Sequence, residues 1–106
     1  MSGSGRYHSG LAAEDSALRL YQAEGGQELD RRARTQAGEI DLIVGQGDEV
    51  IFVEVKARKT HAAAAESLSP RQQQRIFTAA QIWLDQTGRT SLTPCRFDVV
   101  TVDATG

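Results

Sequence analysis

The chain reads as a single α/β domain in which helices flank a mixed β-sheet, and three observations predict it. From Gly38 to Lys59, two runs alternate charged with branched apolar residues around a turn, the pattern of a β-hairpin. Leu11 to Glu24 and Pro70 to about Gln86 repeat apolar residues at helical spacing. The order helix, strand, hairpin, helix, strand gives the apolar face of the hairpin something to be buried against.

Taken in order, Met1 to Gly10 is rich in Gly and Ser and reads as a flexible tail. His8 belongs to that tail rather than to a ligand set. The first helix carries Leu11, Ala12, Ala17, Leu18, Leu20 and Tyr21 as its apolar stripe, and Gly25-Gly26 ends it. Glu14 and Asp15 fall in its first turn, where the positive end of the helix dipole favours acidic side chains. Gln27 to Thr35 is an extended stretch at a sheet edge. Its Arg31, Arg32 and Arg34 serve either as a solvated basic edge, which discourages aggregation, or as a phosphate-contacting lip.

In the hairpin, Glu39-Ile40-Asp41-Leu42-Ile43-Val44 forms one strand and Val50-Ile51-Phe52-Val53-Glu54-Val55-Lys56 the other. A loop of Gln46 to Glu49 pairs Gly45 with Val50. Counting back then sets Asp41 opposite Glu54 and Glu39 opposite Lys56. Opposed residues share a face, so two carboxylates and an ammonium converge. The other face, with Ile40, Leu42, Val44, Ile51, Val53 and Val55, is wholly apolar. Ordinary polar-out alternation explains much of this. Facing carboxylates, however, repel unless a cation lies between them, and Ile43 and Phe52 on the same face imply partial cover. A site for a hard divalent cation satisfies both features, since Mg²⁺ takes one or two carboxylates plus waters and phosphates.

After the hairpin, Ala57 to His61 stays basic, and Ala62 to Glu66 suits a loop or a short helix. His61 lacks a partner at metal-ligand spacing. Ser69 caps the second helix, with Pro70 at its first position and Gly88 as its stop. Ile76, Phe77, Ala80, Trp83 and Leu84 form its core stripe, and Arg71, Gln72, Gln73, Gln74 and Arg75 crowd its start. Phe97 to Val102 is a last strand, and Asp103 to Gly106 a tail.

The 106 residues fit one domain, and 40% hydrophobic content suffices for a small core. A net charge of -2 announces no global nucleic-acid binder. The single cysteine, Cys95, excludes an intrachain disulfide and a cysteine-based zinc site. Neither a signal peptide nor a membrane-spanning apolar run is present, so a soluble, cytoplasmic protein is expected.

A helix with Glu14, a strand with Asp41, then Glu54-Val55-Lys56, then a helix and a strand, resembles the PD-(D/E)xK restriction-endonuclease-like core. The sequence is more closely similar to the YraN-type family of small bacterial proteins. The matching segments are Gly38-Glu39-Ile40-Asp41-Leu42-Ile43, Phe52-Val53-Glu54-Val55-Lys56-Ala57-Arg58, the Ser69-Pro70-Arg71 helix start, Ala80 with Trp83-Leu84, and Arg96-Phe97-Asp98-Val99-Val100. The resemblance covers nearly the whole chain after the tail. It implies a restriction-endonuclease-like fold and a metal-dependent nuclease acting on DNA, with branched or damaged DNA among its candidate substrates. It implies Asp41 and Glu54 as ligands of Mg²⁺ or Mn²⁺, with the Val55 carbonyl as a third. Lys56 would orient the attacking water, and Glu14 would hold a metal-bound water or a second metal. Arg31, Arg32, Arg34, Arg58, Arg71, Gln72 and Arg75 are the expected nucleic-acid contacts, although relatives carry a Lys near Gln72 and an Asn near Arg32. Two rival readings stand beside this one: a non-catalytic nucleic-acid-binding or protein-adaptor module, and a structural ion-pair patch. A domain this small has little surface to grip a duplex, so a homodimer or a partner is expected to complete it.

Overall fold

A two-residue turn at Gly47 and Asp48 joins the central strands β2 (Gly38–Gln46) and β3 (Glu49–Arg58). Gly47 takes a φ of 60°, a left-handed conformation that suits a residue without a β-carbon. The computed structural model describes residues 2–58 and 68–103. Gly45 pairs with Val50, as the spacing predicts. The loop itself is shorter than predicted, because Gln46 also pairs with Glu49.

β1 (Gln27–Thr35) adds antiparallel to β2, and β4 (Cys95–Asp103) adds parallel to β3, giving the order β1-β2-β3-β4. A parallel neighbour needs a crossover, and α2 (Pro70–Gln86) supplies it. The cap of α2 is the predicted one. Ser69 Oγ accepts from the Gln72 N–H, the Gln72 side chain accepts from the Ser69 N–H, and Pro70 opens the helix.

α1 (Ser2–Gln22) covers one face of the sheet and α2 the other. Ala17, Leu18 and Tyr21 pack on Leu42, Val44, Ile51 and Val53. Ala79, Ala80, Trp83 and Leu84 pack on Ile43, Val50 and Phe52. The face expected to carry the carboxylates is thus fully covered at Ile43 and Phe52. Tyr21 Oη donates to Asp98 Oδ2 at 2.7 Å, and Trp83 Nε1 donates to Asp30 Oδ2 at 3.0 Å. Each helix is thereby pinned to an edge strand.

Four expectations change. α1 begins at Ser2, inside the Gly/Ser-rich stretch read as a tail. Poor helix formers nucleate badly, yet extending an existing helix adds one bond per residue fixed. The buried face of α1 is Ala13, Glu14, Ala17, Leu18 and Tyr21, while Ala12 and Leu20 are exposed. In α2, Phe77 is half exposed rather than core. Ile40 packs in the α2-side cluster with Ile43, on the face opposite the one predicted. The cause is a break in alternation. Arg32, between the Arg31–Leu42 and Ala33–Ile40 pairs, has a φ of 51°. Met1, His61 with the 62–66 stretch, and the tail at 104–106 lie outside the described residues. Among the described residues no helix is long and apolar enough to cross a membrane.

The revised face of α1 has a direct check. Leu18→Ala should lower stability by about 2–5 kcal/mol, and Leu20→Ala by less than about 0.5 kcal/mol, in urea titrations. Equal losses would return Leu20 to the core.

Candidate metal centre where the hairpin opens

The paired register of β2 and β3 runs from Gln46–Glu49 to Leu42–Val53 and stops there. β3 continues beside β4 as far as Arg58, so the two hairpin strands part. A backbone N–H that loses its strand partner needs another. Asp41 provides it: Oδ2 accepts from the Val55 N–H at 2.9 Å. Asp41 therefore stands beside Glu54 as predicted, but at a fork and not as a rung of the ladder. Glu39 pairs with Arg34 of β1; its expected pairing with Lys56 lies beyond the last β2–β3 pair.

Glu54 is the most perturbed acid of the site. Burial is the largest cause, the neighbouring Asp41 carboxylate the next, and together they push its pKa up to about 8. Arg75 and Lys56 pull the other way and do not prevail. The Glu54 side chain is 11% exposed. Its Oε2 is buried without a hydrogen-bond partner, the nearest cation being Arg75 Nη2 at 3.7 Å. A buried carboxylate oxygen without a donor is costly and is the atom best suited to accept a cation.

Arg75 ties α2 to this fork. Its Nη1 donates to the Glu39 carbonyl at 3.1 Å while Nη2 faces Glu54. Gly38 makes room for it: the Arg75 guanidinium occupies the place where a β-carbon would stand, and Cδ lies 3.1 Å from that point. Any larger residue at 38, where φ is 136°, would displace the arginine and strain the backbone.

Glu14 approaches from α1. It is 6% exposed, and Arg32 Nε donates to both of its carboxylate oxygens at 3.1 Å. Burial raises its pKa, Arg32 lowers it, and Asp41 is close enough to raise it again. The left-handed backbone of Arg32 costs about 1–2 kcal/mol relative to ordinary strand geometry. With α1 starting at Ser2, Glu14 lies in the body of the helix, so the first-turn dipole does not explain it.

Several of the remaining predicted residues are already engaged within the chain. Arg31 pairs with Asp15 and with Glu28, the latter at 2.7 Å. The Arg34 side chain is 89% exposed, 3.8 Å from Glu39. Arg71 is exposed, and Gln72 is spent on the helix cap. Arg58 ends β3, and its side chain lies outside the described set. Lys56 is half-buried and near enough to act electrostatically on Glu54. Sequence reasoning missed the pairing of Arg75 with Glu54, the room that Gly38 makes, and the twist at Arg32. One signal was present: Arg75 directly precedes Ile76, the first buried residue of α2.

Among the described residues, no three His, Cys, Asp or Glu side chains come together closely enough to cage a metal. The pair Asp41 and Glu54, with one unbonded buried oxygen, fits Mg²⁺ or Mn²⁺ held partly by waters and phosphate. Glu14, bound on both oxygens by Arg32, can act on such an ion only at longer range.

The raised Glu54 pKa has a consequence for the metal-free protein. A carboxyl whose folded pKa exceeds its unfolded value favours the fold while protonated. That stability is complete below about 4.5 and is lost as pH rises through about 8. Urea titrations in chelator should show wild type weakening over this window and Glu54→Gln losing that slope. Identical slopes would contradict the burial argument.

Residues 13–102 match the family described as uncharacterised protein family UPF0102. A UPF0102 protein of Cereibacter sphaeroides is 50% identical over 106 residues, covering 100% of this chain and 91% of the relative. One from Ruegeria pomeroyi is 49% identical over 104 residues, covering 98% and 85%. One from Herminiimonas arsenicoxydans is 44% identical over 99 residues, covering 91% and 77%. With the family pattern matched from Ala13 to Val102, the chain belongs to the UPF0102 family.

Proposed function

We propose that the protein is a divalent-metal-dependent nuclease that hydrolyses phosphodiester bonds in DNA, on a restriction-endonuclease-like core. One observation carries the reading: at the strand fork, Glu54 presents a buried, unbonded carboxylate oxygen beside Asp41 and under the influence of Lys56. Asp41 and Glu54 would hold Mg²⁺ or Mn²⁺. When bound, that ion polarises a phosphoryl oxygen and lowers the pKa of a water. The Lys56 ammonium would offset negative charge as it develops on the phosphate. Arg75 is positioned to keep Glu54 in place through the free state, and Arg32 to keep Glu14 turned toward the fork.

A second reading has its own support. Glu14 is bound by Arg32, Glu54 faces Arg75, and Asp41 is engaged by Val55. A network satisfied this far within the chain also suits a non-catalytic binding or adaptor module.

Metal titration separates the two. Mn²⁺ at a hundred times its Kd should stabilise the fold by about 2.7 kcal/mol, and Glu54→Ala should abolish the shift. No shift at millimolar metal favours the adaptor. Cleavage of plasmid and junction DNA is the direct assay. Asp41→Asn, which retains an acceptor for the Val55 N–H, Glu54→Gln and Lys56→Met should each reduce the rate by about a hundredfold or more. Cleavage indifferent to all three would end the nuclease reading.

A further inference from the structure

The packing of α2 leaves part of its side of the sheet bare. Its buried residues lie over β1, β2 and the start of β3, and no residue of β4 belongs to their cluster. Phe97 and Val99 of β4 are consequently 43% and 46% exposed, and Phe77 of α2 is 47% exposed across from them. Between these elements lies a cleft of about 630 Å³, within the size range of ligand sites. Its apolar wall is a run of phenyl rings. Phe52 and Phe97 stack with centroids 5.4 Å apart at 24°, and Phe97 and Phe77 follow at 5.8 Å and 32°. Glu54 lines the same cleft, so it is continuous with the metal centre.

We propose that this cleft is a stacking slot for an unpaired nucleobase, so that the DNA presented to the Asp41–Glu54 fork is single-stranded or locally opened. The inference rests on the nuclease reading of the fork and specifies its substrate. Charge selects the occupant. Among the described residues, the lining includes no Lys or Arg, and the ionisable side chain that faces the cleft is Glu54, since Asp98 turns its carboxylate to Tyr21 on the opposite face. A phosphate finds no cation to pair with among those described residues. A neutral base needs none: its faces match the phenyl wall, and its exocyclic N–H groups suit the carboxyl and amide oxygens of Glu54 and Gln73. The strand's phosphates would stay outside the cleft, toward Lys56, Arg75 and the exposed Arg71 at the start of α2. A base inside a duplex keeps both faces stacked and cannot enter without being extruded.

The test uses a single-stranded deoxyoligonucleotide carrying a fluorescent adenine analogue, its blunt duplex as control, and Ca²⁺ in place of Mg²⁺. Wild type should quench the analogue in the single strand and not in the duplex. Phe97→Leu and Phe77→Leu should each weaken single-strand binding by about 5- to 100-fold and leave duplex binding unchanged. Both positions are substantially exposed, so the variants should fold, which circular dichroism checks. Equal effects on single strand and duplex, or no effect, would overturn the slot. So would absence of quenching together with a wild-type dimer that Phe97→Leu turns into monomer, since a second copy would then occupy this surface. Quenching that survives in Glu54→Gln while wild type cleaves nothing in Mn²⁺ supports the slot and removes the hydrolytic reading alone.

Discussion

One hydrogen bond organises the centre of this protein: the Val55 N–H given to Asp41 Oδ2 at 2.9 Å. β3 stops pairing with β2 after Val53 while it stays paired with β4 as far as Arg58, and a backbone donor freed by that parting needs an acceptor. A carboxylate supplies one without closing the gap between the strands. The same contact fixes Asp41 next to Glu54. The fork is the place where the β2–β3 register ends, and there the two acids meet.

Bringing the acids together is unfavourable, and several local features offset it. Burial and Asp41 raise the Glu54 pKa despite two nearby cations, so desolvation outweighs attraction at this position. Arg75 reaches the fork from α2 only because Gly38 offers no β-carbon in its path. Arg32 reaches Glu14 from a backbone conformation unusual for a residue with a side chain. Strain and buried charge in one small region are what functional sites tolerate and ordinary cores avoid. Membership of UPF0102 is established over residues 13–102; the nuclease reading rests on the chemistry of the fork.

The hairpin was legible because its signal is local. Period-two alternation and a Gly-rich turn fix the pairing of Gly45 with Val50, and the proximity of Asp41 and Glu54 follows by counting. The cap of α2 was legible for the same reason: Ser69, Pro70 and Gln72 are chain neighbours. What stayed hidden depends on distant parts of the fold. The Gly- and Ser-rich start of α1 has too little apolar contrast to set the phase of its stripe, so Leu20 was misplaced and the buried position of Glu14 went unexplained. Ile40 was assigned to the wrong face because nothing in its own strand reports the left-handed turn at Arg32 in the next. The arginines look like one basic group in sequence, yet Arg31 and Arg32 are tied to acids on α1 and β1. The open side of β4 depends on which strands α2 covers, which no local pattern records.

The Asp41–Glu54 fork and the phenyl-lined cleft share Glu54, and the proposed substrate would lie across both, with its phosphate at one and its base in the other. The most direct test of the metal centre is a crystal soaked in Mn²⁺ and measured for anomalous scattering. A peak between the Asp41 and Glu54 carboxylates, with Glu54 Oε2 among its ligands, is the expected result. A saturated crystal with no peak at the fork, and Arg75 still facing Glu54, would contradict the account.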